Sequence, residues 1–172
     1  MVKPLSAVAG LLLALCIGIG ARLETGAPPG LPPKPFAHLL GGQAPDFTLP
    51  GLGGETVSLA GAREADAWVL YFTDAACGAC KAAYPAVKAA AEVLPIVAVA
   101  TGDPDLVQAH IGEAALAIGH DEQQTVHRLY DVRGVPSALL IDRGGVVRHA
   151  ATGSRSITEV LAAWNDSKGG GA

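Results

Sequence analysis

A chain of 172 residues, half of them hydrophobic, has room for a membrane segment, a linker and one domain of about 130 residues, large enough to bury its own core. The net charge of -4 and the lack of any Lys/Arg cluster exclude a nucleic-acid binder, which needs basic patches to neutralise phosphates. There is no internal repeat, glycine-rich phosphate loop or dinucleotide fingerprint.

Met1 to Pro4 carries one lysine, Leu5 to Ala21 has no charge, and Arg22 and Glu24 close the run. The pattern predicts an N-terminal membrane anchor or signal segment over residues 1–22. About 17 helical residues rise roughly 26 Å, close to a ~30 Å hydrocarbon core if Lys3 and Arg22 snorkel. An uncleaved anchor is the first reading. A signal cleaved near Gly18-Ile19-Gly20 and a lipoprotein signal at Cys16 are the alternatives. Lys3 and the N-terminal amine favour the cytoplasm, so the domain is expected in the bacterial periplasm or on the extracytoplasmic face, where disulfide chemistry is productive. Residues 23–35, including Gly26-Ala-Pro-Pro-Gly-Leu-Pro-Pro-Lys-Pro35, read as an extended Pro/Gly-rich spacer.

The domain proper is expected over 36–166. Gln43–Leu49 and Thr56–Leu59 read as short strands around the Gly51–Gly54 turn, and the aromatic and β-branched run Trp68–Phe72 as the central strand. Ala79–Glu92 reads as a helix interrupted by Pro85, and Val93–Ala100 as a strand buried on both faces because it does not alternate. Asp103-Pro104 supplies an N-cap and a proline at N1 for a helix to about Ala114. A strand at Leu116–Ile118, a helix over Asp121–Tyr130, and a hairpin of Ser137–Ile141 and Val146–Ala151 follow. Ser156-Ile-Thr-Glu159 is a capping box opening a last helix to Trp164, and 167–172 is expected to be a disordered tail. These elements describe an α/β fold with a sheet part parallel and part antiparallel.

Cys77-Gly-Ala-Cys80 lies between the central strand and a helix, the context in which a C-x-x-C pair is a redox motif. Free N–H groups and the macrodipole at a helix N-terminus favour an anion, so Cys77 should ionise readily and attack disulfides as a thiolate. Cys80, one turn on, should face the core, stay protonated until a mixed disulfide forms, and then resolve it. Two bland readings stand beside this. As a structural staple the pair closes so small a loop that it contributes only ~2 kcal/mol in the chain-entropy model. As structural zinc it lacks ligands, since Cys16, the only other cysteine, lies in the apolar segment.

From about Leu40 to Trp164 the chain resembles the thioredoxin superfamily, and within it the membrane-anchored TlpA/ResA-like and MauD-like redoxin branch. The resemblance rests on Gly42-Gln-Ala-Pro-Asp-Phe-Thr-Leu49, Cys77-Gly-Ala-Cys80, Pro85 and Tyr130-Asp-Val-Arg-Gly-Val-Pro136-Ser-Ala-Leu-Leu-Ile-Asp142. It implies a thioredoxin-like fold with a central mixed sheet flanked by helices, preceded here by the single N-terminal apolar helix. It also implies that Cys77 is the nucleophile, Cys80 the resolving cysteine, the Cys77–Cys80 disulfide the redox centre, and Pro136 a cis-proline beside it. A cis bond there leaves the backbone of Val135 free to pair with an extended substrate.

By the same resemblance the protein is a monomeric thiol–disulfide oxidoreductase with no bound cofactor or metal. It exchanges electrons with cysteine-containing protein substrates and a membrane thiol donor, acting reductively in the maturation of proteins or of cytochrome and cofactor sites. An oxidising, disulfide-forming enzyme and a copper(I)-binding metallochaperone are the alternatives. A peroxidase reading fails on motif, because such relatives place Thr three residues before the reactive cysteine and Asp74 stands there. Two further departures are Ala75-Ala76, where many thioredoxins have Trp, and the lack of a carboxylate in Trp68–Phe72, where many relatives bury one as a proton acceptor. Lys81 and Asp74 are candidates for tuning the thiol pKa, Asp74 more simply as a turn former. His38, His110, His120, His127 and His149 show no ligand spacing and read as surface residues.

Overall fold

The structure, a computed structural model, describes residues 34–62, 65–111 and 116–169. The expected anchor over 1–22, the spacer up to residue 33, Cys16 and residues 170–172 lie outside the described residues. In chain order the elements are β1 (Thr48–Pro50), β2 (Thr56–Ser58), a 3-10 turn (Leu59–Ala62), β3 (Ala67–Asp74), α1 (Gly78–Ala91), β4 (Ile96–Thr101) and α2 (Pro104–Ile111). They continue with β5 (Ala117–His120), α3 (Thr125–Leu129), β6 (Ser137–Asp142), β7 (Val147–Thr152) and α4 (Ser156–Gly169).

Five strands form one sheet in the order β5-β4-β3-β6-β7, with β1 and β2 paired separately. The pairs β3–β4 and β4–β5 are parallel, joined by connections through α1 and α2, while β3–β6 and β6–β7 are antiparallel. The mixed sheet and its flanking helices are the thioredoxin-like architecture. Alternate residues of β3 enter opposite layers. Val69 and Tyr71 pack with Cys80, Tyr84 and Val87 of α1, Val107 of α2 and Ile157 of α4. Trp68, Leu70 and Phe72 pack with Phe36, Phe47, Leu49, Leu59, Val126 and Tyr130. A strand covered on both faces needs no polar alternation, and accordingly every residue of β4, and of β3 up to Thr73, is buried.

Several boundaries differ from the sequence reading for reasons of hydrogen bonding. Val93 and Leu94 still donate to the Ala90 carbonyl, so they close the end of α1 and β4 starts only at Ile96. The register of β5 is set by pairing of Ala117–His120 with Val97–Ala100, and Gly51 bridges to Gly119. α1 passes through Pro85 uninterrupted, with the proline on the exposed face. The capping box at Ser156 does not form. The Ser156 and Glu159 N–H groups donate to the carbonyls of Gly153 and Arg155, and the buried Ser156 hydroxyl has no partner among the described residues. The chain has already turned into α4 before Ser156, so this serine sits inside the first turn. α4 runs on to Gly169, making Ser167, Lys168 and Gly169 of the expected tail helical, with the Lys168 ammonium 4.6 Å from the Trp164 ring centre. At α2 the reading holds: Asp103 Oδ1 accepts the N–H groups of Asp105 and Leu106 ahead of Pro104–Ile111.

Candidate active site

The C-terminal ends of the parallel strands β3 and β4 open at Asp74 and Thr101. Asp74 Oδ1 accepts the Ala76 N–H at 2.8 Å and Oδ2 accepts the Thr101 hydroxyl at 2.6 Å, which turns the chain sharply after β3. That turn places Cys77 at the N-cap of α1, in extended conformation, with its sulfur accepting the Cys80 N–H at 3.0 Å. The two cysteines form a disulfide with Cα atoms 5.2 Å apart. Their surroundings differ: Cys77 is half-buried at the protein surface and Cys80 is 0% exposed.

The segment before β6 comes up against the same sulfur. The Val135–Pro136 peptide bond is cis, and the Val135 carbonyl oxygen lies 3.7 Å from Cys77 Sγ. This segment is pinned on both sides. The Ser137 hydroxyl donates to the Gly134 carbonyl at 2.7 Å, and the Gly153 N–H donates to the Pro136 carbonyl at 2.7 Å. Upstream, the Val132 N–H donates to the His127 carbonyl at 2.9 Å and the Tyr130 hydroxyl to the Pro45 carbonyl at 2.6 Å. Burial, reinforced by the charge of Asp46, raises the Tyr130 pKa, so this donor keeps its proton. On the exposed rim Arg133 grips Asp131 through two N–H groups, and those hydrogen bonds hold the carboxyl below its ordinary range.

Of the residues singled out in the sequence, the structure gathers Cys77, Cys80, Asp74, Val135 and Pro136 at one end of the sheet. Lys81 lies on the exposed side of α1. The histidines are not all surface residues. His127 is only 9% exposed, and its Nδ1 bonds Asp121 Oδ2 at 2.9 Å. Asp121, 2% exposed, also accepts the N–H groups of Thr125, Val126 and His127 and thereby caps α3. Sequence reasoning read Asp121 as the first residue of that helix; its spacing from Thr125 was the available sign of a cap. A cavity of about 260 Å³ is lined by Asp74, Thr101, Gln124, His127, Arg133 and Val135, among others. Thr73 Oγ1 and the Tyr84 hydroxyl lie 3.2 Å apart between β3 and α1, both residues buried, and this pair also went unread in the sequence.

The family model described as AhpC/TSA family matches residues 40–150, a span that contains both cysteines and Pro136. The chain belongs to that family. It is a thioredoxin-type thiol–disulfide oxidoreductase, with the Cys77–Cys80 pair as its dithiol/disulfide. The methylamine utilization protein MauD of Paracoccus versutus is 27% identical over 144 residues, covering 80% of this chain and 71% of that protein. A crystal structure of a Chlorobium tepidum protein, provisionally named thiol:disulfide interchange protein DsbE, superposes with a TM-score of 0.60 at 28% identity, covering 72% of this chain and 96% of that one. StoA of Bacillus subtilis shares the fold, with a TM-score of 0.56 at 16% identity over 69% of this chain and 96% of its own. In this AhpC/TSA member, no group of three or more His, Cys, Asp or Glu among the described residues could hold a metal ion. No helix among the described residues is long and apolar enough to cross a membrane.

Proposed function

We propose that this oxidoreductase is membrane-tethered, faces the extracytoplasmic side and reduces disulfides in protein substrates. The observation that carries the chemistry is the unequal setting of the two sulfurs. Cys77 is partly exposed at a helix N-cap, its sulfur 3.0 Å from the Cys80 nitrogen, while Cys80 is sealed in the core. The accessible sulfur is the one whose thiolate the helix terminus stabilises.

In the reduced protein the Cys77 thiolate attacks a substrate disulfide. A bond forms between Cys77 and one substrate sulfur, and the other substrate sulfur leaves as a thiolate and takes up a proton. Cys80 then loses its proton and attacks Cys77, closing the Cys77–Cys80 bond and releasing the second substrate thiol. Two electrons have passed to the substrate, and a membrane thiol donor restores the dithiol. The Val135 backbone, held beside the sulfur, offers a strand edge along which an extended substrate segment can pair, with Pro136 fixing its direction. The tether is read from uncharged Leu5–Ala21 between Lys3 and Arg22, with the spacer holding the domain off the membrane. The thiol:disulfide interchange named for the Chlorobium tepidum protein supports thiol–disulfide exchange as the reaction.

The deciding experiment uses Cys80→Ser in cells, with acid quenching and non-reducing electrophoresis. This variant should accumulate reductant-sensitive mixed disulfides, because a serine hydroxyl cannot resolve them. Cys77→Ser should accumulate far fewer. Substrates that are apocytochromes or cofactor-site proteins support the reductive direction, whereas a broad set of secreted cysteine proteins points to an oxidant. Equal trapping by both variants removes Cys77 from its role as sole nucleophile.

A further inference from the structure

The cavity of about 260 Å³ shares two of its lining residues with the surroundings of Cys77. Val135 holds its carbonyl oxygen 3.7 Å from Cys77 Sγ, and the Asp74 carbonyl accepts the Cys77 N–H at 3.2 Å. An extended substrate segment laid along Val135 points alternate side chains to opposite sides, so one position near its cysteine meets this cavity and the next does not. The volume lies below the ~300–1,000 Å³ of small-molecule pockets and suits a single side chain.

The charges of the lining do not balance. Asp74 Oδ2 accepts the Thr101 hydroxyl at 2.6 Å and both residues line the cavity, which sets the carboxylate in its wall, while Oδ1 takes the Ala76 N–H. Both partners are neutral, and no cation pairs with Asp74 among the described residues. A carboxylate offers about four acceptor places, so some remain open. Arg133, the one arginine or lysine of the lining, is already neutralised by Asp131, through Nε at 3.1 Å and a terminal nitrogen at 2.8 Å. His127 is bonded to Asp121 at 2.9 Å. Gln124 adds an independent sign. It holds φ +54, a left-handed conformation uncommon outside glycine, yet its side chain caps nothing, because Asp121 takes the first N–H groups of α3.

We propose that this cavity is a substrate subsite that selects a lysine or arginine beside the reactive cysteine of the protein substrate, with the Asp74 carboxylate pairing with the cation and the Gln124 amide oxygen accepting a second hydrogen bond from it. Asp131 serves the same selection by cancelling the charge of Arg133, which would otherwise repel the incoming side chain. Asp74 is thus a specificity residue as well as the turn former after β3.

This inference rests on the exchange reading above and names a substrate class for that site. Reduced full-length protein is mixed with short blocked peptides, neutral apart from one varied position, whose single cysteine is linked to a chromophoric thiol; release of that thiol gives the rate constant. Lysine, acetyl-lysine, alanine and glutamate stand in turn at each of the two positions before and the two after the cysteine. Lysine on one side should exchange about fivefold faster than alanine, the upper end for a part-exposed ion pair, with acetyl-lysine no better than alanine and glutamate slower. The advantage should shrink at high salt. Asp74→Asn keeps an acceptor for the Ala76 N–H, and in this variant the ratio of lysine to alanine should fall to about one, whatever the common change in rate. A loop-shaping role alone would slow every peptide and leave the ratio unmoved, and that result overturns the subsite. So does an equal lysine advantage at all the positions, which would be the general pull of a chain of net charge -4. A glutamate preference overturns it by giving the cavity to Arg133. Glycine suits the backbone of position 124, so Gln124→Gly should leave the urea midpoint unchanged or higher while the lysine ratio falls about twofold. An unmoved ratio there removes Gln124 from the subsite, and where Asp74→Asn does not fold it overturns the assignment. Exchange with these peptides needs neither a tether nor a physiological direction. Trapped partners that point to an oxidant would therefore count against the proposed function and leave these ratios standing.

Discussion

Asp121→Ala tests how the buried carboxylate supports the segment that meets Cys77. The wild-type carboxylate is 2% exposed and takes four hydrogen bonds: Thr125 N–H at 2.7 Å, Val126 N–H at 3.0 Å, His127 N–H at 2.9 Å and His127 Nδ1 at 2.9 Å. Alanine deletes the cap, worth about 0.5–2 kcal/mol, and strands buried donors at about 1–3 kcal/mol each before relaxation. Because α3 spans only Thr125–Leu129, it has no cooperative helix of its own to absorb the loss. Some of the donors will recover water, so the net expectation is about 2–4 kcal/mol.

That is a large part of the ~5–15 kcal/mol available to a domain. Urea denaturation should show the midpoint falling with an unchanged slope. Disulfide exchange should also slow in the folded fraction, because α3 holds Val132 through the His127 carbonyl and so sets the position of Val135. Asp121→Asn keeps one acceptor oxygen and should fall between the two. A loss under about 1 kcal/mol for the alanine variant with normal exchange would refute this account of the cap.

Gly102 has φ +82, and a Cβ there would lie 3.0 Å from the Cβ of Ala75, in the loop that presents Cys77. Gly102→Ala should therefore lower stability by about 1–2 kcal/mol and slow exchange, which stopped-flow assays against a small disulfide would show; unchanged kinetics would separate Gly102 from the site. For Asp142, burial pushes the carboxyl up, but the Val146 N–H and Arg148 outweigh it and hold it below the ordinary range. Its stabilisation is thus complete above the unfolded pKa of about 3.9 and is lost as pH falls through the lower folded value. Since Arg148 is 58% exposed, Asp142→Asn should cost under about 1 kcal/mol near neutrality, and the gap from wild type should close in acid-unfolding curves below about pH 4. A gap that stayed constant into acid would contradict the assignment. A reporter enzyme that works only after export, fused after Ala172, should be active, and an inactive fusion would reverse the proposed topology.

Features legible in the sequence are those in which neighbouring residues carry the physics. Trp68–Phe72 and the run ahead of Ala100 are apolar without alternation because both faces of the strand are covered, so the central strands could be read directly. Asp103-Pro104 announces its helix because the cap and the missing N–H act within one turn. Cys77 and Cys80 are set three apart by the helix itself, so their adjacency was already contained in the spacing. The burial of His127 was not, because it depends on Phe72, whose ring packs edge-on at 5.1 Å from a strand far away in the chain. The Ser156 box has the right letters, but the incoming turn from Gly153 had already used the backbone donors. The start of β5 was misplaced because the register of a short edge strand is decided by its partner β4. Thr73 and Tyr84 lie on different elements, and only the packing of α1 on β3 brings their hydroxyls to 3.2 Å. Local periodicity and spacing thus determined the elements and the sulfur pair, whereas tertiary packing decided what surrounds each sulfur, since the sequence alone does not say which layer a distant side chain will enter.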